Sequence, residues 1–128
     1  MKLLFDTHTF IWWFNERKNL SQRIMDLCAN RKNTLILSVV SIWEMQIKLQ
    51  IGKYSLAKPL QAIIDDEQKT NQVEMLPIRL DHVLALDKLP LHHKDPFDRL
   101  LVAQAIVEDA VLVSRDPEIS KYEEEVIW

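Results

Sequence analysis

The sequence predicts an α/β domain built on a parallel sheet, and three observations predict it. Short runs rich in Val, Ile, Leu and Phe recur along the chain. They are apolar almost throughout rather than alternating, as expected of parallel strands buried on both faces. Segments with helical apolar spacing separate them, so strand and helix alternate. No repeat, low-complexity tract or composition shift marks a linker. The 128 residues are therefore expected to form one domain, 1–128, long enough for a core but too short for two.

The first strand is expected at residues 2–5 (Lys-Leu-Leu-Phe). An early helix follows, carrying Phe10, Ile11, Trp12, Trp13 and Phe14. Five large apolar residues in a row cannot all point inwards, so part of this run is expected to face a partner. Ser21 is placed to cap a helix running to about Arg31, with Ile24, Leu27 and Cys28 on one face. The second strand covers residues 34–38. The helix after it carries Ile42, Met45 and Leu49 on one stripe and Trp43 and Ile47 on the adjoining one. Gly52 is positioned to end it in a left-handed conformation. Residues 60–71 read as a helix, 75–78 as a strand and 81–88 as a helix with His82 on its surface. Pro96 starts a strongly apolar helix through Leu100, Leu101, Ala105 and Ile106. Residues 111–114 are the fourth strand, and 126–128 are a candidate fifth.

Composition removes several chemistries. The chain has a single glycine, Gly52, whereas dinucleotide loops, phosphate loops and nucleophile elbows each need at least two. The single cysteine, Cys28, excludes an internal disulfide framework and any CxxC site. HExxH does not occur. The net charge of −3 is not that of a polycation holding nucleic acid by charge alone. Charge is uneven: residues 1–32 carry six Lys/Arg against three Asp/Glu, and residues 95–128 carry three against nine. Asp6 interrupts the first apolar stretch, and the run from Leu35 to Trp43 is too short to span a bilayer. A cytoplasmic protein with no membrane partner is expected.

Ligands of open α/β sheets bind beyond the carboxyl ends of the strands. Asp6 directly follows the first strand and Asp116 follows the fourth. Asp98 lies in the first turn of the helix feeding the fourth strand, and Glu44 lies early in the helix leaving the second. All four are expected at one edge of the sheet. Each also has a local reading. Asp6 and Asp116 suit N-caps; Asp95 suits the N-cap before Pro96, which puts Asp98 at N3 where the helix dipole favours it. Glu44 is spaced to pair with Lys48. Convergence of four acids exceeds what capping needs. Four carboxylates sharing a pocket repel one another, and a hard cation such as Mg²⁺ or Mn²⁺ offsets that repulsion. Such a site activates water and stabilises a leaving oxyanion at a phosphodiester.

Other residues carry less chemistry. His8, two residues after Asp6, reads as a partly buried structural histidine with lining of the site as the alternative; His92 and His93 precede Asp95 and are candidates for assisting catalysis or contacting substrate. Trp12, Trp13 and Trp43 read as core or interface, and residues 123–125 as a solvated acidic stretch. Arg99 and Arg115 adjoin acids and are candidates for holding phosphates. A strong His pair for attack by the 2′-hydroxyl is missing, which favours hydrolysis by water.

Four segments together resemble a PIN-domain ribonuclease, more narrowly a VapC-type toxin of a toxin–antitoxin pair. They are Leu4-Phe5-Asp6-Thr7-His8, Ser41-Ile42-Trp43-Glu44-Met45 with Lys48, the stretch from His93 through Asp98-Arg99 to Ala105, and Leu112-Val113-Ser114-Arg115-Asp116. The resemblance covers essentially the whole chain. It implies a three-layer α/β/α fold with a parallel sheet in order 3-2-1-4-5. It also implies Asp6, Glu44, Asp98 and Asp116 as catalytic and metal-binding acids for Mg²⁺ or Mn²⁺, a single-stranded RNA substrate and a cognate antitoxin; the surplus of large apolar residues in Phe10–Phe14 and the Trp43/Ile47 stripe adds the expectation of a homodimer. Many members place Thr and Asn before the fourth acid; here Ser114 and Arg115 stand there. The rival reading is a non-catalytic α/β regulatory or interaction domain on such a scaffold. A phospho-acceptor receiver fits poorly, because residues 75–78 run into Arg79 and Leu80 without an aspartate and no lysine closely follows the last long strand.

Overall fold

The computed structural model describes residues 1–92, 94–122 and 126–128. The readings for His93 and residues 123–125 lie outside the described residues. The elements run β1 (Lys2–Phe5), α1 (Thr7–Asn15), α2 (Gln22–Ala29), β2 (Thr34–Ser38), α3 (Val39–Gln50), α4 (Leu60–Thr70), β3 (Glu74–Leu76), α5 (Leu80–Ala85), α6 (Pro96–Glu108), β4 (Val111–Val113) and β5 (Val126–Ile127). Short 3₁₀ turns cover Arg17–Asn19, Leu86–Lys88 and Ile119–Lys121.

The five strands form one parallel sheet in order β3-β2-β1-β4-β5. Register aligns Leu4 with Ile36 on one side and Leu112 on the other. Alternate residues of each strand therefore enter opposite cores. Leu3, Phe5, Leu35, Leu37, Val111 and Val113 pack with Phe10, Trp13, Ile24 and Met45. Leu4, Ile36, Leu76 and Leu112 pack with Leu100, Leu101, Ala105 and Ile119. Two apolar layers on one sheet make the three-layer α/β/α arrangement, and they explain why the strand sequences do not alternate.

Local signals set the helix ends. Ser21 Oγ accepts from the Ile24 amide at 3.2 Å, and α2 stops at Ala29, two residues before the expected end. Asp95 accepts from the amides of Phe97 and Asp98, with Pro96 at the first helical position. Gly52 has φ 77°, as its place after α3 required. Asp109 closes α6 in the same left-handed region, φ 53°. The third strand ends before Pro77, which has no amide to donate to a ladder. The helix expected over residues 81–88 is α5 followed by a 3₁₀ turn.

One expectation for a side chain is corrected here. His82 is fully buried rather than on a helix surface. Its Nδ1 accepts from the Arg79 amide at 3.0 Å and its Nε2 faces Glu108 Oε2 at 2.9 Å. Phe10 and Trp13 are buried, and Phe14 packs edge-on against Phe10 at 5.0 Å. Ile11, Trp12 and Phe14 are half-buried, so the run is split between the core and the surface.

Candidate active site

In order β3-β2-β1-β4-β5 the chain switches sides between β1 and β4. The crevice at such a point is where open α/β sheets bind ligands. Asp6 leaves β1 there, and its amide donates to the Val113 carbonyl of β4 at 3.1 Å. Its side chain caps α1 by accepting from the Thr9 amide through Oδ1 at 2.8 Å. The Ser114 hydroxyl donates to Asp6 Oδ2 at 2.6 Å and accepts from the Asp116 amide at 3.1 Å. One serine thus couples the two acids. Asp116 Oδ1 also accepts from the Glu118 amide at 2.8 Å, turning the chain before the Ile119–Lys121 turn rather than capping a helix directly.

Glu44 enters from α3. It is 4% exposed, and Thr7, the residue after Asp6, donates to its Oε1 at 2.6 Å. Lys48 lies 3.5 Å from Oε2. Burial opposes the charge on Lys48, but Tyr54, Glu44 and Asp95 together raise its pKa. The effect of Asp95 brings the start of α6 beside this pair, and the rings of Trp43 and Phe97 meet at 4.9 Å. Asp98 lies in that first turn, half-buried.

Asp6 and Asp116 line a common cleft of about 290 Å³ with His8, Trp12, Arg115 and Pro117. Glu44 is linked to Asp6 through Thr7. Among the described residues, no three His, Cys, Asp or Glu side chains form a group able to hold a metal ion by themselves. The Asp6 carboxyl is nonetheless raised in pKa. Burial is the leading cause, opposed by the hydrogen bonds from Ser114 and Thr9 and by His8. Desolvation thus leads the upward shift that the sequence reading ascribed to repulsion.

Several roles expected from the sequence move. His8 is exposed at the cleft rather than partly buried. Helix α1 turns Thr7 and Thr9 inward and leaves His8 outside. Arg99 Nη2 reaches the carbonyls of Leu86 and Leu89 at 3.5 and 3.4 Å, which ties it to the 3₁₀ turn. His92 is exposed and packs on Tyr122, ring centroids 5.2 Å apart. Thr7 received no role from the sequence; its signal is only a hydroxyl adjacent to an acid at a strand end.

The family profile described as PIN domain matches residues 3–125. The chain belongs to the PIN-domain family. No curated protein sequence matches it. This PIN domain superposes on VapBC2 from Rickettsia felis bound to a promoter DNA fragment, with a TM-score of 0.74 and 17% identity over 99% of this chain and 98% of the other. It also superposes on DNA-bound VapBC from Salmonella typhimurium (TM-score 0.67, 17% identity, 99% and 97% covered). A third similar structure is VapBC-1 from nontypeable Haemophilus influenzae (TM-score 0.63, 20% identity, 99% and 97% covered). At these identities the likeness establishes the fold of the PIN domain. Among its described residues no helix is long and apolar enough to cross a membrane.

Proposed function

We propose that this PIN domain is a divalent-metal-dependent endoribonuclease that hydrolyses single-stranded RNA, acting as the toxin of a toxin–antitoxin pair in the cytoplasm. The observation that carries the reading is the Ser114 hydroxyl, 2.6 Å from Asp6 Oδ2 and 3.1 Å from the Asp116 amide, at the β1/β4 crevice of a PIN fold. Mg²⁺ typically binds through one or two carboxylates plus waters and substrate phosphates, not an all-protein cage. An all-oxygen pair, Asp6 and Asp116, on one cleft fits that habit. These two would hold the ion, with Glu44 and Asp98 reaching it through water. Bound there, the cation supplies Lewis acidity to the phosphodiester and acidifies the attacking water.

The protein's own residues set the stage. Thr9 and Ser114 hold both oxygens of Asp6, and Thr7 holds Glu44 in one orientation. Lys48 balances Glu44, so the buried acid keeps a charge partner. Attack by water gives termini without a cyclic phosphate. The test is cleavage of single-stranded RNA in Mg²⁺, Mn²⁺ or EDTA, with end analysis of the products. Metal-dependent cleavage without 2′,3′-cyclic phosphates is expected. Cleavage in EDTA, or cyclic ends, overturns it, and no cleavage in any divalent ion favours the non-catalytic rival.

The partner reading also has support. The similar structures are of VapBC, and two of them are bound to DNA. Trp43 is 53% exposed beside Glu44, and α5 exposes Leu80, Val83 and Leu84. Apolar stripes of this kind mark protein contacts. A homodimer, with an antitoxin segment laid along the Trp43 face, accounts for both surfaces. A monomer at micromolar concentration by sedimentation, unchanged by the neighbouring gene product, overturns it.

A further inference from the structure

The cleft that holds Asp6 and Asp116 has a second side. Trp12 is half-buried there, and the Arg115 guanidinium lies over its ring, 4.9 Å from the centroid. The Trp128 ring is 6.0 Å from the same guanidinium and meets Trp12 edge-on at 5.7 Å. His8 stands 6.1 Å from Trp12. Arg115 follows Ser114, which bonds Asp6, and precedes Asp116. It is exposed, yet among the described residues it makes no ion pair, although the chain has 19 acids. Its place on two indoles limits its rotamers and leaves its N–H groups available.

We propose that Trp12, His8 and Arg115 form a nucleotide-docking shelf, on which one base of single-stranded RNA stacks while Arg115 takes the adjoining phosphate. The proposal rests on the nuclease reading of the neighbouring acids and names how they acquire substrate. Two carboxylates on a cleft wall repel a polyanion, and the chain carries a net charge of −3. A local cation must therefore compensate. Among the described residues Arg115 is the one Lys or Arg lining this cleft. Aromatic faces accept any base without hydrogen-bond readout, which suits single strands. The cleft, about 290 Å³, has room for a planar group.

The test uses a fluorescein-labelled hexaribonucleotide, with binding measured in EDTA at several salt concentrations and cleavage measured in Mn²⁺. Arg115→Gln is expected to weaken binding roughly tenfold and to reduce the salt slope by about 0.7, the loss of one phosphate contact. Trp12→Leu is expected to weaken binding on the order of tenfold to a hundredfold. In cleavage both variants should raise KM and leave kcat close to wild type, which a disturbed acid site would not do. Arg115→Lys should recover the salt slope but only part of the affinity. Arg115 is exposed and carries the test if Trp12→Leu fails to fold. Unchanged RNA affinity and KM in Arg115→Gln overturn the shelf. Unchanged RNA affinity with weakened capture of the antitoxin overturns it in favour of a protein contact. Should wild type bind through the shelf yet cleave nothing, the shelf stands and the nuclease reading falls.

Discussion

The Ser114 hydroxyl donates to Asp6 and accepts from the Asp116 backbone, so a single oxygen ties the Asp6 carboxylate to the backbone of Asp116. Removing it has consequences at both ends. Ser114→Ala deprives a 3%-exposed carboxyl of a donor that favours its charged form, so the Asp6 pKa moves further upward. Loss of stability of about 1–3 kcal/mol is expected from urea unfolding, with RNA cleavage reduced at least tenfold. Cleavage at the wild-type rate would show that the coupling is structural only. Asp98 offers a cleaner separation of roles. Its amide is already satisfied by Asp95 Oδ1 at 3.1 Å, and Asp98→Asn keeps that bond and the side-chain shape. Cleavage should fall by orders of magnitude while the thermal midpoint stays near wild type. A residue serving only the helix dipole would instead cost about 0.3–1 kcal/mol and leave activity intact.

Helix α5 connects to α6 through charge as well as packing. Glu108 at the end of α6 accepts from His82 Nε2 at 2.9 Å and from Arg79 Nη2 at 2.5 Å, and Arg79 also holds Asp81. The hydrogen bond from His82, then that from Arg79, lowers the Glu108 pKa below its ordinary value. A lowered carboxyl pKa means that the unfolded chain binds the proton more readily. The contribution is complete above the unfolded pKa of about 4.3 and is lost as pH falls through the lower folded value. Glu108→Gln should therefore be about 1–2 kcal/mol less stable than wild type at pH 7, the gap closing as pH drops through that range. Urea titrations at several pH values test this; a gap that stays constant with pH assigns the effect to packing. The same helix shows where sequence reading stopped. Leu80, Val83 and Leu84 have the spacing of an inward stripe, yet they are 73%, 44% and 63% exposed while His82 is buried. What holds His82 inside comes from Gln104 and Glu108, 22 and 26 residues away, and periodicity carries no such information. Caps were legible because they are local: Ser21, Asp95 and Gly52 act within a few residues of their own position. Asp6 and Asp116 were legible as strand-end acids. The Thr7 bridge between the Asp6 turn and Glu44 was not, since it depends on how α3 packs beside α1.

At the scale of the whole chain, a resident cation ties the acids to global stability. An ion that binds only the folded cleft stabilises it by RT ln(1 + [L]/Kd), roughly 2.7 kcal/mol at a hundredfold excess over Kd. For a chain of this length that corresponds to a rise in Tm of about 10 °C. Asp6→Asn provides the control. Its Oδ1 can still accept from the Thr9 amide, so the cap of α1 survives. The substitution also removes a carboxyl whose charge is disfavoured by burial. The amide nitrogen cannot accept from Ser114, so relief of the buried charge offsets a lost hydrogen bond. In EDTA the variant should stay close to wild type, whereas a site held together by the Asp6 charge would lose more stability than Ser114→Ala. In Mn²⁺ wild type should be the more stable, because only wild type retains the ligand. The measurement is a melting series in EDTA and in increasing Mn²⁺ for both proteins at one pH. An equal Mn²⁺ shift in both would place the ion elsewhere in the chain. No shift in either would leave Asp6 and Asp116 as a capped and hydrogen-bonded pair, and the nuclease reading would lose its physical basis.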